Sequence, residues 1–236
     1  MPKTILFFAD RLPPLTGGVE MHARYFIEHF INHPQFPLLG IISKNAEGDD
    51  CIVTNEGKRP ISIQDLSELL DPTYIFFNSG RWIEELPQIR SAFPKAVFLY
   101  RTGGNEILKA PLIHEQIPNH ALRQSYWARN INSTIDLMIT NSDYTERRLH
   151  AVGITCPFKR YVGGVNATAL KPSKMPTKGF VTIFCAARFV PYKNHSLLLT
   201  VISQLVSRGY KLQLRLAGDG PLLSQAQAQV LSLIHI

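Results

Sequence analysis

Arg188 and Lys193 stand five positions apart, separated by Phe189-Val190-Pro191-Tyr192. A guanidinium can grip a diphosphate through two parallel N–H bonds, and an ammonium adds a point charge. The pair could therefore clamp one pyrophosphate; two solvated loop charges are the plainer alternative. Gly17-Gly18 precede a stretch of helical apolar period. Backbone N–H groups can approach a phosphate closely there, and a helix start adds the positive end of its dipole. An ordinary tight turn has the same composition. Gly218-Asp219-Gly220, followed by Pro221, is a turn by composition that could also touch a nucleotide. A different chemistry is suggested by Arg101, Asn105 and Glu106, which flank Gly103-Gly104, and by Arg81 in Asn78-Ser79-Gly80-Arg81. Amide and carboxylate oxygens accept hydrogen bonds from sugar hydroxyls. A polar network steadying two loops would use the same groups.

Other chemistries find little support. Cys51, Cys156 and Cys185 are far apart and make no CxxC pair, so neither a structural zinc site nor a disulfide framework is expected. The histidines show no metal-ligand spacing; His22, His29 and His33 fall on or near one helical stretch and read as surface or packing residues. There is no Gly-x-Ser-x-Gly elbow and no Walker A sequence. A formal net charge of +7 points to anionic partners, nucleotide diphosphates or anionic lipid head groups among them. Nucleic acid is not expected, since no helix-turn-helix or RNP-like pattern accompanies the charge. No run of about 18 apolar residues exists, so any membrane association is expected to be peripheral, from the cytoplasmic side.

The elements that would position these residues alternate in type. Short apolar runs at 4–9, 38–43, 74–78, 96–100 and 136–140 predict strands. Helical periods lie between them: 18–33, with Val19, Ala23, Phe26, Ile27, Phe30 and Ile31 on one face; about 117–132; and one starting near Asp143, where Asp143 and Glu146 have capping-box spacing. Strand–helix alternation predicts a parallel sheet covered on both faces. The polar stretch 167–179, with Pro172, Pro176 and Gly179, reads as a linker between a first domain, 1–166, and a second unit, 180–236. That unit opens with a strand at 181–187, a helix at 195–208 with Leu198, Val201, Ile202 and Leu205 on one face, and a strand at 212–217. About sixty residues are few for a closed doubly wound domain. The second unit is thus expected to be incomplete and to leave Val201, Ile202, Leu205, Leu214 and Leu216 under-covered.

Several of these segments, in order, resemble family 4 glycosyltransferases of the GT-B fold. Gly17-Gly18-Val19-Glu20 is similar to the first-domain glycine loop, and Ile139-Thr140-Asn141-Ser142-Asp143-Tyr144 to the segment before the interdomain crossing. Gly164-Val165-Asn166 with Leu170 and Pro172 is similar to the hinge. Ala187-Arg188 with Lys193, then Gly218-Asp219-Gly220-Pro221, match the start of the donor domain. The resemblance implies two Rossmann-like α/β domains, the first for the acceptor and the second for the sugar nucleotide. It implies retaining transfer of a sugar from a nucleotide diphosphate, with no cofactor and no metal. Arg188 and Lys193 would be catalytic. Gly17, Gly18, Gly218, Asp219 and Gly220 would bind the donor, and Arg81, Arg101, Asn105 and Glu106 the acceptor, a glycan or lipid-linked sugar. The expected role is cell-surface polysaccharide or lipopolysaccharide synthesis. Two departures stand out. Gly103-Gly104-Asn105-Glu106 lacks the histidine that the family often carries there, and the family's glutamate-rich donor motif would lie beyond residue 236. The chain by itself is therefore expected to be inactive. A non-catalytic glycan- or partner-binding module derived from the same fold is the alternative.

Overall fold

The computed structural model describes residues 2–9, 11–12, 14, 17–78, 80–102, 105–108, 120–164, 179 and 181–233. The chain divides into two compact units, Met1–Val165 and Asn166–Ile236, each described here by itself.

The first unit is built on an eight-stranded sheet, and its central strand explains why. Strand β1 (Ile5–Phe8) is buried along its whole length. Alternate side chains of a strand point to opposite faces. Leu6 and Phe8 therefore enter one apolar cluster while Ile5 and Phe7 enter another. Such an unbroken apolar run suits a strand covered on both sides. Helix α1 (Gly18–Phe30) covers the second face: Phe26 stacks on Phe7 with ring centroids 4.3 Å apart and also meets Phe76 at 4.6 Å. Val19 and Ile31, expected on this face, lie outside that cluster, and Ile31 is exposed beyond the last helical turn.

The remaining strands are β2 (Leu38–Lys44), β3 (Asp50–Thr54), β4 (Gly57–Pro60), β5 (Tyr74–Phe77), β6 (Val97–Arg101), β7 (Leu137–Thr140) and β8 (Phe158–Arg160). Their order across the sheet is β4-β3-β2-β1-β5-β6-β7-β8. Pairs from β2 through β1 to β8 are parallel. The antiparallel β3–β4 hairpin at one edge was not expected from the sequence. Gly57-Lys58-Arg59-Pro60 is polar throughout and carries no alternation to betray a strand. Successive strands run outward from β1 in one direction and then, from β5, in the other. The carboxyl ends of β1 and β5 thus flank the point where connection order reverses, the usual crevice for ligands in such sheets.

Helices α2 (Ile63–Leu69), α3 (Leu86–Ala92), α4 (Asn105–Leu108), α5 (His120–Thr134) and α6 (Asp143–Ala151) complete the unit. The start of the helix expected from 117 falls partly outside the described residues. Helix α6 is capped by Ser142 and not by Asp143: the Ser142 hydroxyl accepts from the Thr145 amide at 3.2 Å. Serine in extended backbone directly before the first turn is the better cap. Arg90 of α3 fastens the opposite side. Its guanidinium donates to the carbonyls of Ala96 and Thr134 and to Asp136, and lies 3.7 Å from the Phe98 ring centroid.

The second unit contains β9 (Val181–Ala186), α7 (His195–Ser207), β10 (Leu212–Ala217) and α8 (Leu223–Leu233), with the two strands parallel. In that register Ile183 faces Leu214 and Cys185 faces Leu216. Leu214 and Leu216 pack against a small core of Phe189, Leu199 and Ala226. Both remain only half-buried on that face. Leu199, one residue along from the expected stripe, is buried in α7 together with His195, while Val201 is exposed as expected. The other face of the pair carries Phe184 beside Arg215, both exposed.

Candidate functional site

Two groups of loops at carboxyl strand ends carry most of the predicted residues, one in each unit. In the first unit, Gly17 caps α1 and Gly18 opens it, with nothing within 4 Å of the place where a Gly18 side chain would start. A Cβ on Gly17 would come within 2.3 Å of Glu20 Oε2. Glu20 is buried in the first helical turn, where an acid complements the helix dipole, and it pairs with Arg11 at 3.4 Å. The amide end of α1 thus faces a resident carboxylate.

Behind this loop the ends of β5 and β6 meet α1. Asn78 donates from Nδ2 to the Val19 carbonyl at 3.1 Å and accepts from Arg101 Nη1 at 3.3 Å. His22 lies one turn into α1, half-buried, its ring 6.2 Å from that of Phe76. Burial, and then the Arg101 charge, push the imidazole pKa down to about 4, against an opposing hydrogen bond with Asn78. The imidazole is therefore neutral at physiological pH. Neither His22 nor Asn78 stood among the residues expected to bind. The available signal was positional: Asn78 ends a strand beside the switch point, and His22 follows the glycine pair by one helical turn.

Arg81 is not part of this group. It lies in the 3-10 turn Gly80–Trp82, where a Cβ on Gly48 would sit 3.5 Å from its Nη2. That places it beside a separate groove of about 710 Å³ lined by Gly48, Lys44, Asp50, Asp65, Glu85 and neighbours. Lys44 is buried there between Asp50 at 3.0 Å and Glu85 at 2.8 Å, and Trp82 Nε1 donates to Asp50 at 2.7 Å. The backbone of Asn105 and Glu106 forms the start of α4; their side chains, with Gly103 and Gly104, lie outside the described residues.

In the second unit, Arg188 and Lys193 belong to one loop that runs from β9 through the 3-10 turn Pro191–Lys193 into α7. Arg188 Nη2 donates to the Tyr192 hydroxyl at 2.9 Å, and Lys193 Nζ lies 5.3 Å from the Tyr192 ring centroid. Asn194 turns the chain with φ 51° and caps α7 through its side chain. The loop after β10 supports it from below: the Phe189 amide donates to the Asp219 carbonyl at 2.8 Å, and the Leu222 amide to the Phe189 carbonyl at 3.0 Å. Gly218 and Gly220 have φ of 149° and 147°, and a Cβ on them would come within 2.1 Å of the Ala187 carbonyl and 2.6 Å of the Phe189 carbonyl. Close packing of two backbones thus accounts for both glycines without a ligand. Asp219 uses Oδ1 to accept from the Gly220 amide. Among the described residues no group of three or more His, Cys, Asp or Glu could hold a metal, and no helix is long and apolar enough to cross a membrane.

No family model and no curated protein matches the sequence. Solved structures do match. The lipopolysaccharide outer core galactosyltransferase WaaB, in its apo form, superimposes with a TM-score of 0.64 at 16% identity, over 98% of this chain and 65% of that one. The chain has that α/β fold. Anabaena HepE in complex with UDP and glucose gives 0.63 at 13% identity, over 100% of this chain and 67% of that one. S. aureus TarM, in complex with Fondaparinux, alpha-GlcNAc-glycerol and UDP, gives 0.53 at 13% identity over 82% and 39%. The chain spans between 39% and 67% of the length of these three structures.

Proposed function

We propose that the chain is part of a glycosyltransferase that moves a sugar from a nucleoside diphosphate donor to a glycan or lipid-linked acceptor. The observation that carries this reading is the Arg188–Tyr192–Lys193 loop at the carboxyl end of a parallel strand, in a chain folded like WaaB and HepE. When the bond from the sugar to the diphosphate breaks, negative charge grows on the leaving phosphate. Preplaced cations stabilise that charge more in the transition state than in the ground state. Arg188 and Lys193 have that role in this reading. Gly17 and Gly18 also bind the donor, and Gly218, Asp219 and Gly220 frame the donor loop. Arg101, Arg81, Asn105 and Glu106 meet acceptor hydroxyls. The transfer is retaining and uses no metal; the leaving phosphate takes the acceptor proton. The product is a surface polysaccharide or lipopolysaccharide, made at the inner membrane face, to which a basic protein adheres peripherally.

Titrating the chain with UDP tests the donor assignment, and sugar transfer from a UDP-sugar tests the chemistry. Lys193→Ala should lower turnover by about 10²-fold, the scale for losing one partner of a transition-state charge. Unchanged UDP affinity and turnover in both Arg188→Ala and Lys193→Ala would overturn the assignment.

A second reading, a glycan-binding module without transfer, is favoured by one feature. The carboxylate of Glu20 already lies against Gly17, where a phosphate would otherwise be welcome. Binding on a glycan array with no affinity for UDP would select it.

A further inference from the structure

Arg188 and Lys193 are both exposed, and their charges repel. Tyr192 nevertheless meets both. Its hydroxyl oxygen accepts from the guanidinium at 2.9 Å, and the negative face of its ring lies 5.3 Å from the ammonium. A phenol thus meets two cations with two different parts of itself. A carboxylate at the same position would also gather them, but it would cancel one charge and repel an incoming anion. The neutral phenol leaves the full charge of both groups to a ligand.

The backbone beneath is held independently. Phe189, next to Arg188, stacks on His195, two residues past Lys193, with centroids 4.0 Å apart and ring planes 14° from parallel. That stack is buried. The loop's ends are therefore fixed by the core of the unit, and what remains adjustable is the direction of the two long side chains. Long flexible cations lose conformational freedom when they grip a ligand. A side chain that holds them together beforehand lowers that loss.

Resting on the diphosphate reading above, we propose that Tyr192 is a positioning residue that joins Arg188 and Lys193 into a single grip for the diphosphate of a nucleoside diphosphate. It acts through the cations and not by touching the ligand.

The test is calorimetric titration of the full chain with inorganic pyrophosphate and with UDP, uridine serving as the ligand without phosphate. The variants are Tyr192→Phe, Arg188→Ala and the double variant. Tyr192→Phe keeps the ring over Lys193 and removes only the oxygen, so the fold should be undisturbed; far-ultraviolet circular dichroism checks this. Pyrophosphate affinity should fall about fivefold in Tyr192→Phe, the scale of one ordinary hydrogen bond. In the Arg188→Ala background the same substitution should change affinity less than about twofold, since the partner is already gone. Equal losses in both backgrounds would mean that Tyr192 touches the ligand or acts only on the fold, and would overturn the proposal. No loss in Tyr192→Phe would overturn it too, while leaving the diphosphate reading intact if Arg188→Ala still weakens binding. Absence of any pyrophosphate or UDP binding by the unaltered chain would remove both.

Discussion

The two units use the same strand–helix logic with different numbers of strands, and their burial differs accordingly. In Met1–Val165, β1 has a parallel neighbour on each side and helices over both faces, so Leu6, Phe7, Phe8, Phe77 and Phe98 are wholly shielded from water. Among the described residues of Asn166–Ile236, β9 and β10 have only each other. Phe189, Leu199 and Ala226 are the core among the described residues, and Phe184 remains 66% exposed on the sheet's bare face. Burial of apolar surface contributes roughly 25 cal/mol per Å², so the second unit has much less to set against chain entropy. The site-bearing loop Arg188–Lys193 is thus held chiefly by local backbone packing, whereas the switch-point loops of the first unit rest on a deep core.

The largest difference between the units is expected on unfolding. Two separate transitions in urea are expected, the second unit opening first. Trypsin should cut early after Lys174 or Lys178 and leave a resistant piece of about 170 residues, the size of one ordinary domain. A single transition with uniform resistance would show that the units share their stability.

Next in size are the glycines. Gly218→Ala or Gly220→Ala forces a methyl group onto a carbonyl oxygen in a backbone conformation that side chains rarely adopt. The expected loss is about 3 kcal/mol or more, in the range of overpacking plus backbone strain. Hydrogen exchange should show it confined to β9, β10 and α7. Protection lost in β1 or β5 would contradict the separation.

A smaller effect sharpens the picture of the first unit. His22 has its pKa lowered to about 4 in the folded chain, against about 6.5 when unfolded. The unfolded chain therefore binds the proton more readily between those values, and stability falls as pH drops from about 6.5 to about 4, then levels. Because the ring is only half-buried, solvent screening limits the effect to about 1–2 kcal/mol. Urea midpoints at pH 7 and pH 4.5 should differ by less in His22→Gln than in the unaltered chain; an identical difference would clear His22 of the dependence.

A change of similar size is expected at Asn194. Alanine there loses the α7 cap and must still adopt φ near 51°, at a cost of about 1–2 kcal/mol. Glycine tolerates that conformation, so Asn194→Gly should be nearly neutral. Equal melting shifts for the two would mean that backbone strain does not matter here.

Much of the fold was legible because buried parallel strands announce themselves. Ile5–Phe8 and Tyr74–Phe77 are short apolar runs bounded by polar residues, and α1 has a clear helical period. The β3–β4 hairpin was not legible, because an exposed edge strand made of glycine, lysine, arginine and proline has no buried face to leave a pattern. The site was legible in part. Loop position at strand ends pointed to Arg101 and to the Arg188–Lys193 loop. It could not say that Asn78 and His22 would join Arg101, or that Arg81 would turn towards Gly48, since those are contacts between segments far apart in sequence. Nor could composition tell that Gly218 and Gly220 are dictated by the carbonyls of Ala187 and Phe189.

Strand β4, Gly57–Pro60, is fully exposed and forms one margin of the eight-stranded sheet; β8 forms the other, with Lys159 and Arg160 outward. Proline offers no amide hydrogen to a passing strand, and a row of cations repels another copy of itself. Both rims of the large sheet are in this way closed to growth by their own chemistry. In a concentrated solution, then, molecules that stick together should do so through the short pair β9–β10, and added salt, by screening the rims, should first reveal whether the large sheet was being kept apart by charge.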